Sequence, residues 1–425
     1  MTEKFLHFIW QFRLFSAHKL RTTAGESVEV IDVGKLNNDA GPDFFNAKLK
    51  IGDTLWAGNV EIHCKSSDWA KHHHNTDRAY DSVILHVAAE IDAPTFRTTG
   101  EAIPQMQLVF SSEVEKNYQY LLENKLWIPC ADRISLVDKI YIHSWLNACL
   151  TERLNYKAEQ IFVLLEENKN NWEEAFYIIL MRNFGFGTNA DAFERLAKSL
   201  PLSCLGKHKD NLLQLEAMLF GQAGFLSKTQ EMPDDYQQTL QREYHFLQQK
   251  FNLTPLPREL WKFLRLRPQN FPTVRMAQFA ALTHRSTKLF SKIIETPTLE
   301  ALQKLFRCEP SEYWETHYRF GDESSQKIKQ LGDAAIQTIL INTVLPFLFC
   351  YGQKKQQADL QERVFTLFEQ LLPEKNSIIE NWQRLGLTTV SAFDTQALLQ
   401  LKSRYCDDRK CLRCAIGHKV LTISN

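Results

Sequence analysis

The strongest constraint on what this chain can fold into is a change of rhythm. Up to about Phe110 the residues alternate apolar and polar; from about Ile134 to Leu401 apolar residues recur at helical spacing. A period of two fits a pleated strand with one face buried, and a period near 3.6 fits a helix. The alternation predicts strands at Ser27 to Val33, Asp43 to Ile51, Leu55 to Cys64 and Ser82 to Ala89, with Gln105 to Phe110 as a further candidate. Phe5 to Leu14 has helical spacing, and Ser66-Ser67-Asp68 reads as the cap of a short helix entered at Trp69. The expected order is α-β-β-β-α-β, with the second and third strands paired as an antiparallel hairpin around Gly52-Asp53.

The fold class is therefore α+β, an N-terminal mixed module followed by a mostly helical one. The expected boundaries are an α+β domain over 1–130, a helical domain over 131–402 and a cysteine-containing tail over 403–425. A length of 425 residues exceeds one typical domain. Fifty Lys+Arg balance fifty Asp+Glu, which excludes a basic field over the whole molecule but leaves room for a local basic groove. The longest apolar run, Ile336 to Tyr351, carries Gln337, Asn342 and Pro346 and reads as a buried helix, so no membrane partner is expected. Nine scattered and clustered cysteines, an odd number, fit a reducing cytoplasm better than a disulfide framework.

The most informative stretch is residues 41–69, GPDFFNAKLKIGDTLWAGNVEIHCKSSDW. On one strand, Glu61, His63 and Lys65 share a face while Val60, Ile62 and Cys64 share the other. An antiparallel hairpin carries Asp43 towards that charged face. Asp43 and Glu61 together could hold Mg²⁺ or Mn²⁺, which take oxygen ligands, and such an ion can activate water for phosphodiester cleavage. His63 or Lys65 would then hold or polarise the nucleophile or stabilise developing charge. The bland alternative is an ordinary solvated strand face.

A second signal is the run Lys71-His72-His73-His74-Asn75-Thr76-Asp77. With His63 and His86 it concentrates imidazoles, which suit Zn, Fe or Ni. His63, His72 or His74 with Asp77 could form a ligand set after folding, so His74 and Asp77 are secondary candidates. His86, between Leu85 and Val87, reads as a hydrogen-bonded histidine facing the site or a helix. The alternative is a solvated loop in which one histidine packs.

The pattern GPD, seventeen intervening residues, then EIH, in this order of elements, resembles the PD-(D/E)XK nuclease superfamily. That resemblance implies a metal-dependent nuclease with Asp43 and Glu61 as metal ligands and His63 in place of the usual lysine; Lys65 lies one same-face step along. The segments LHFIWQFRLF, NDAGPDFFNAKL, VEIHCKSSDW, VILHV, RPQNFPTVRMAQFA and CLRCAIG are similar to a family of bacterial proteins known as domain of unknown function 2851. This similarity spans nearly the whole chain and implies that it behaves as one unit.

Cys406, Cys411 and Cys414 form C-x4-C-x2-C near the C-terminus. Such thiolates bind Zn²⁺ or an iron–sulfur cluster and need a fourth ligand, for which Cys130 and His418 are the candidates. Nucleases of the RecB-like branch hold a 4Fe-4S cluster with a similar idea but a different spacing. In the helical part, Arg265, Arg267 and Arg275 around a proline-framed segment could grip a phosphate backbone, or pair with acidic neighbours. The expected function is a metal-dependent nuclease-like phosphodiesterase acting on DNA or RNA. The alternative is a non-catalytic protein of the same fold serving as a structural, nucleic-acid-binding or adaptor module.

Overall fold

The computed structural model describes residues 2–16, 20–37, 39–227, 233–286 and 288–423. The chain forms two units. One comprises residues 1–145 with 402–425; the other is residues 146–401, inserted between those two segments. The boundary thus falls later than residue 130, and the cysteine tail is not a separate body. It folds into the first unit because specific bonds hold it there. Asn117 Nδ2 donates to the carbonyls of Leu421 and Ile423 at 3.1 and 3.0 Å, and Arg409 donates to those of Leu122 and Asn124 at 2.8 and 2.7 Å. The change of composition at residue 403 is therefore not a domain edge.

The first unit begins with α1 (Glu3–Gln11), whose Phe5, Leu6, Phe8, Ile9 and Trp10 are buried. A mixed sheet follows: β1 (Val28–Asp32), β2 (Lys35–Leu36), β3 (Phe44–Ile51), β4 (Thr54–Lys65), β5 (Val83–Glu90) and β6 (Gln105–Gln107). The order is β1-β3-β4-β5-β6, with β2 pairing to β3. β3 and β4 form the expected antiparallel hairpin, Ile51 opposite Thr54. β5 then runs parallel to β4, with Glu61 beside His86 and His63 beside Ala88. Parallel neighbours project side chains to the same face, so this register alone brings His86 to Glu61 and His63. Between β4 and β5 lie α2 (Asp68–Lys71) and two single turns. Ser67 does not cap α2: its backbone is already helical and its hydroxyl donates to Asp92 at 2.8 Å. α3 (Ser112–Glu123) and the helix Ala415–Leu421 complete the unit.

β4 also departs from the solvated-face expectation. Glu61 is 4% exposed and His63 is 1% exposed, as deeply buried as Val60 and Ile62 on the opposite face. Strands enclosed on both faces usually carry apolar residues throughout. Two ionisable groups there need a compensating environment.

The second unit is helical, apart from a small hairpin pairing His317–Arg319 with Asp322–Glu323 that periodicity did not reveal. The helix Lys139–Glu167 contains the boundary between the units. Residues Asp333–Lys354 are long and apolar enough by composition to cross a membrane, yet they are mostly buried. Inside this stretch the turn Leu340–Val344 is a π-bulge. Pro346 cannot donate to the carbonyl of Asn342, and its ring crowds that carbonyl; Asn183 Nδ2 donates to it at 3.3 Å instead. Two of the interruptions of the apolar run, Asn342 and Pro346, therefore sit at the turn where the helix departs from regular geometry.

Packing in this unit is close enough to predict one severe substitution. A Cβ at Gly221 would fall 2.1 Å from the Tyr244 ring. That ring is pinned, because its hydroxyl donates to buried Gln222 Oε1 at 3.0 Å. Gly221→Ala is expected to destabilise the unit by about 2–3 kcal/mol through overpacking. Urea unfolding should show a lower midpoint; a midpoint equal to wild type would mean the ring yields freely.

Candidate functional site

The site is built where β3, β4, β5 and the loop after α2 meet. Asp43 stands immediately before β3. Its backbone N–H donates to Glu61 Oε2 at 3.0 Å, and its own Oδ2 accepts the Ile62 N–H at 2.9 Å. This reciprocal pair locks the two carboxylates to the hairpin. The outer oxygen of Glu61, Oε1, lies 3.2 Å from His74 Nε2 and 3.6 Å from His63 Nε2. His63 Nε2 lies 3.1 Å from His72 Nδ1, and His63 Nδ1 lies 2.9 Å from His86 Nε2. His7, from α1, places Nε2 3.1 Å from Asp43 Oδ2.

The loop reaches the sheet through a left-handed residue. His73 has φ 62°, which turns its own ring outward and lets its neighbours His72 and His74 both face His63. His74 is stacked on Tyr80 at 3.7 Å, and Trp69 packs against His74 and His86 at 5.3 and 5.2 Å. Trp69 also belongs to a buried cluster with Val83 and Ile103, and its indole donates to the Phe96 carbonyl at 3.1 Å.

Electrostatics follow from this burial. Burial, reinforced by the Asp43 carboxylate, pushes Glu61 well above the carboxylate range. Burial holds His63 down to about 2 and His86 down to about 4, and the surrounding imidazoles act in the same direction. Burial also lowers His74. Burial opposes protonation of His7 too, but contact with Asp43 outweighs it and leaves that pKa raised. Burial raises the Tyr80 hydroxyl to about 12, so it keeps its proton.

A pH dependence results. An imidazole held neutral in the fold takes up a proton on unfolding below about 6.5, so its contribution to stability is lost as pH falls towards the folded value. His63 and His86 both act in this sense. Glu61, raised in the fold, acts oppositely and cancels one of them. His74, also lowered, adds to the imidazole side, so the net effect is a stability that falls as pH drops below about 6.5. Chelator-treated protein should therefore show a lower urea midpoint at pH 5 than at pH 6.5; equal or greater stability at pH 5 would contradict this arrangement.

The donor set suits a cation. Among the described residues, the group of three donor atoms within 4.8 Å of one another is His63, His72 and His74. Two ligands held about 2.1 Å from one metal at tetrahedral angles are about 3.4 Å apart. The separations of 3.1, 3.2 and 3.6 Å around His63 and Glu61 bracket that spacing. His86 Nδ1 is buried with no hydrogen-bond partner.

Several expected site residues stand elsewhere. Lys65 is half exposed and pairs with Glu90 at 3.0 Å, because β4 runs out of the buried region before reaching it. Asp77 is exposed, and its Oδ1 accepts the Ala79 N–H at 2.9 Å as the cap of a turn. In the second unit, Arg275 is turned inward, donating to Gln278 at 2.9 Å and Asn270 at 2.7 Å and lying 4.3 Å over the Phe186 ring. It is bound to its own unit rather than offered to phosphate; Arg265 and Arg267 are exposed. Cys130 lies near enough to Cys406, Cys411 and Cys414 to feel their charge, and His418 Nε2 is 2.7 Å from the Leu412 carbonyl. His7 and Tyr80 were missed: one stood as a lone polar residue in an aromatic helix, the other past the histidine run.

The fold and site define a mixed α+β chain with a buried histidine–carboxylate centre and a helical insertion. This chain belongs to the family described as Protein of unknown function (DUF2851), which matches residues 3–377. No curated protein and no solved structure matches it.

Proposed function

We propose that the first unit is a metal-dependent hydrolase of phosphodiester bonds, acting on DNA or RNA at a divalent first-row transition metal. The observation that carries this reading is the convergence of Glu61 Oε1 with the His63 and His74 nitrogens at 3.6 and 3.2 Å, beside His72. Imidazole donors favour Zn, Fe or Ni over the all-oxygen Mg or Mn site expected from Asp43 and Glu61 alone. A bound cation of this kind supplies Lewis acidity and lowers the pKa of water. The protein's residues would do the rest. Glu61, His63, His72 and His74 hold the ion. Asp43 fixes Glu61 through the hairpin and carries His7. Tyr80, protonated and stacked on His74, keeps a proton available for a leaving oxygen.

The element order and the carboxylate placement support the PD-(D/E)XK resemblance. A helix precedes antiparallel strands, the next strand is parallel, and Asp43, just before β3, meets Glu61 on β4. One observation favours the second reading, a non-catalytic relative: the nearest lysine, Lys65, is engaged with Glu90. The two are separated by loading chelator-stripped protein with Mn²⁺ or Zn²⁺ and supplying single- and double-stranded DNA and RNA. Metal-dependent cleavage of any of them supports the hydrolase. Metal bound at one equivalent without cleavage of any substrate supports the structural or adaptor role.

A further inference from the structure

The second unit holds a cavity of about 390 Å³. It is bordered by the segment from Arg258 to Phe263, the start of the helix Pro272–Arg285 and the small hairpin at Arg319 and Asp322. Its volume lies near the lower end of the range for small-molecule sites, about 300–1,000 Å³. It has room for one compact ligand, not for a peptide helix or a nucleic-acid duplex.

One wall is aromatic and fixed in place. Trp261 is buried, and its indole N–H donates to the Ala223 carbonyl at 2.8 Å. The next residue is clamped on both sides: the Lys262 N–H donates to Asn189 Oδ1 at 2.8 Å, and Asn189 Nδ2 donates to the Lys262 carbonyl at 2.9 Å. Phe225 stands 5.7 Å from Trp261 and 6.1 Å from Phe263. The chain reaches this position by a close approach that needs glycine. Gly224 has φ 81°, and a Cβ there would fall 2.3 Å from the Leu256 carbonyl oxygen. The hairpin is tied down as well, since Thr273 Oγ1, in the first turn of its helix, donates to the Tyr318 carbonyl at 2.6 Å. The rings therefore hold their planes with no ligand to order them, which lowers the cost of binding.

Two guanidinium groups complete the cavity. Arg319 lies 4.5 Å over the Phe263 ring and 4.6 Å over the Phe271 ring. Arg258 lies 5.9 Å from the Phe225 ring. Stacking holds a guanidinium by its flat face and leaves its N–H edges for an acceptor. Both arginines are exposed, and among the described residues neither guanidinium has a hydrogen bond or an ion pair. Arg182 of the same unit, by contrast, is engaged with Asp191 and Glu194. Asp322 is the one carboxylate on the rim. It stands opposite Arg319 in the hairpin, yet the two side chains form no ion pair.

Flat rings, two unpaired planar cations and one acceptor complement a ligand that joins an aromatic ring to an anion and carries a hydroxyl. An inorganic anion would leave the aromatic wall unfilled, and an apolar ring would leave both guanidiniums unmet. We propose that this cavity binds a single nucleotide unit. Its base stacks on the wall of Phe225 and Trp261, its phosphate takes the N–H edges of Arg258 and Arg319, and a sugar hydroxyl donates to Asp322. The same chemistry is offered by a free mononucleotide and by an unpaired nucleotide of a strand. The proposal does not rest on the hydrolase reading of the histidine centre.

The test uses the chelator-treated full chain, so that neither cleavage nor metal-held phosphate contributes. Calorimetric titrations employ adenosine 5′-monophosphate, adenosine, inorganic phosphate, a short single-stranded oligonucleotide and its duplex. The mononucleotide, the single strand or both should bind, the mononucleotide at one equivalent. Adenosine, phosphate and duplex should each bind more weakly by about tenfold or more. Arg258→Gln and Arg319→Ala should each weaken binding by about tenfold or more, the loss expected for a charge-assisted hydrogen bond. Arg384→Ala, which removes an equal charge from an exposed position of the same unit, should leave affinity unchanged. Binding of the strand alone, with the same losses, identifies a strand as the source; binding of the mononucleotide alone identifies a free nucleotide. Should Arg319→Ala disturb the Phe263 and Phe271 rings and fail to fold, Arg258→Gln decides. No binding of either nucleotide form, phosphate or duplex bound as tightly as the preferred form, or unchanged affinity in Arg258→Gln would overturn the proposal. Loss of metal-dependent cleavage with nucleotide binding intact would instead reject only the hydrolase reading.

Discussion

Glu61→Gln is expected to lower metal-dependent cleavage by about 100- to 1,000-fold, the scale seen when a preorganised charge-stabilising group is removed from an active site. The substitution keeps shape and volume. Glutamine can still accept the Asp43 N–H, so the hairpin clamp survives. What disappears is the oxygen that can give up its proton to a cation, 3.2 Å from His74 and 3.6 Å from His63. Affinity for Mn²⁺ or Zn²⁺ should fall with it. Stability of the metal-stripped protein should not fall, because a buried carboxylate disfavoured by burial and by Asp43 is replaced by a neutral amide. This separation distinguishes a ligand from a structural residue. Calorimetric metal titration and chemical unfolding on the same variant measure both. A variant that cleaves normally, or one that simply unfolds while binding metal unchanged, would contradict the assignment.

Trp69→Ala is expected to cost about 3–5 kcal/mol of stability, the scale for truncating a fully buried large aromatic. Trp69 is 1% exposed, packs with Val83 and Ile103, and lends its faces and edges to His74 and His86. Its loss also orphans the Phe96 carbonyl. The cavity would sit beneath the histidines, so metal affinity should weaken together with the unfolding midpoint. Trp69→Phe, which retains most of the ring, should recover a large part of both. If Trp69→Ala lost stability but bound metal as wild type, the histidines would be held by their own loop and not by this floor.

Much of the site's geometry is legible in the sequence. Alternation along Val60 to Lys65 placed Glu61 and His63 on one face, and a turn at Gly52-Asp53 carried Asp43 to them; the hairpin register confirms both placements. Periodicity failed where tertiary contacts decide. It left open whether the Glu61 face is a site or an ordinary solvated face, and the second alternative fails because that face is closed over by the loop that carries the histidine run. Lys65 shares the same period as Glu61 and His63 but lies past the end of the covered region, which no local pattern marks. His7 depends on a helix packed across from Asp43, a contact over thirty residues away in sequence. The cysteine spacing groups three thiols in the tail, and their nearness to Cys130 is set by how the chain returns after its insertion. Arg275 looked like one of three equivalent arginines, and only burial separated it from Arg265 and Arg267.

The most direct test of the central claim is anomalous diffraction from crystals of the full chain loaded with Mn²⁺ or Zn²⁺. The predicted result is a single strong peak bounded by Glu61 Oε1, His63 Nε2 and His74 Nε2, with His72 swung towards it. No peak there at saturating metal, or a cation held only by other residues, would contradict it.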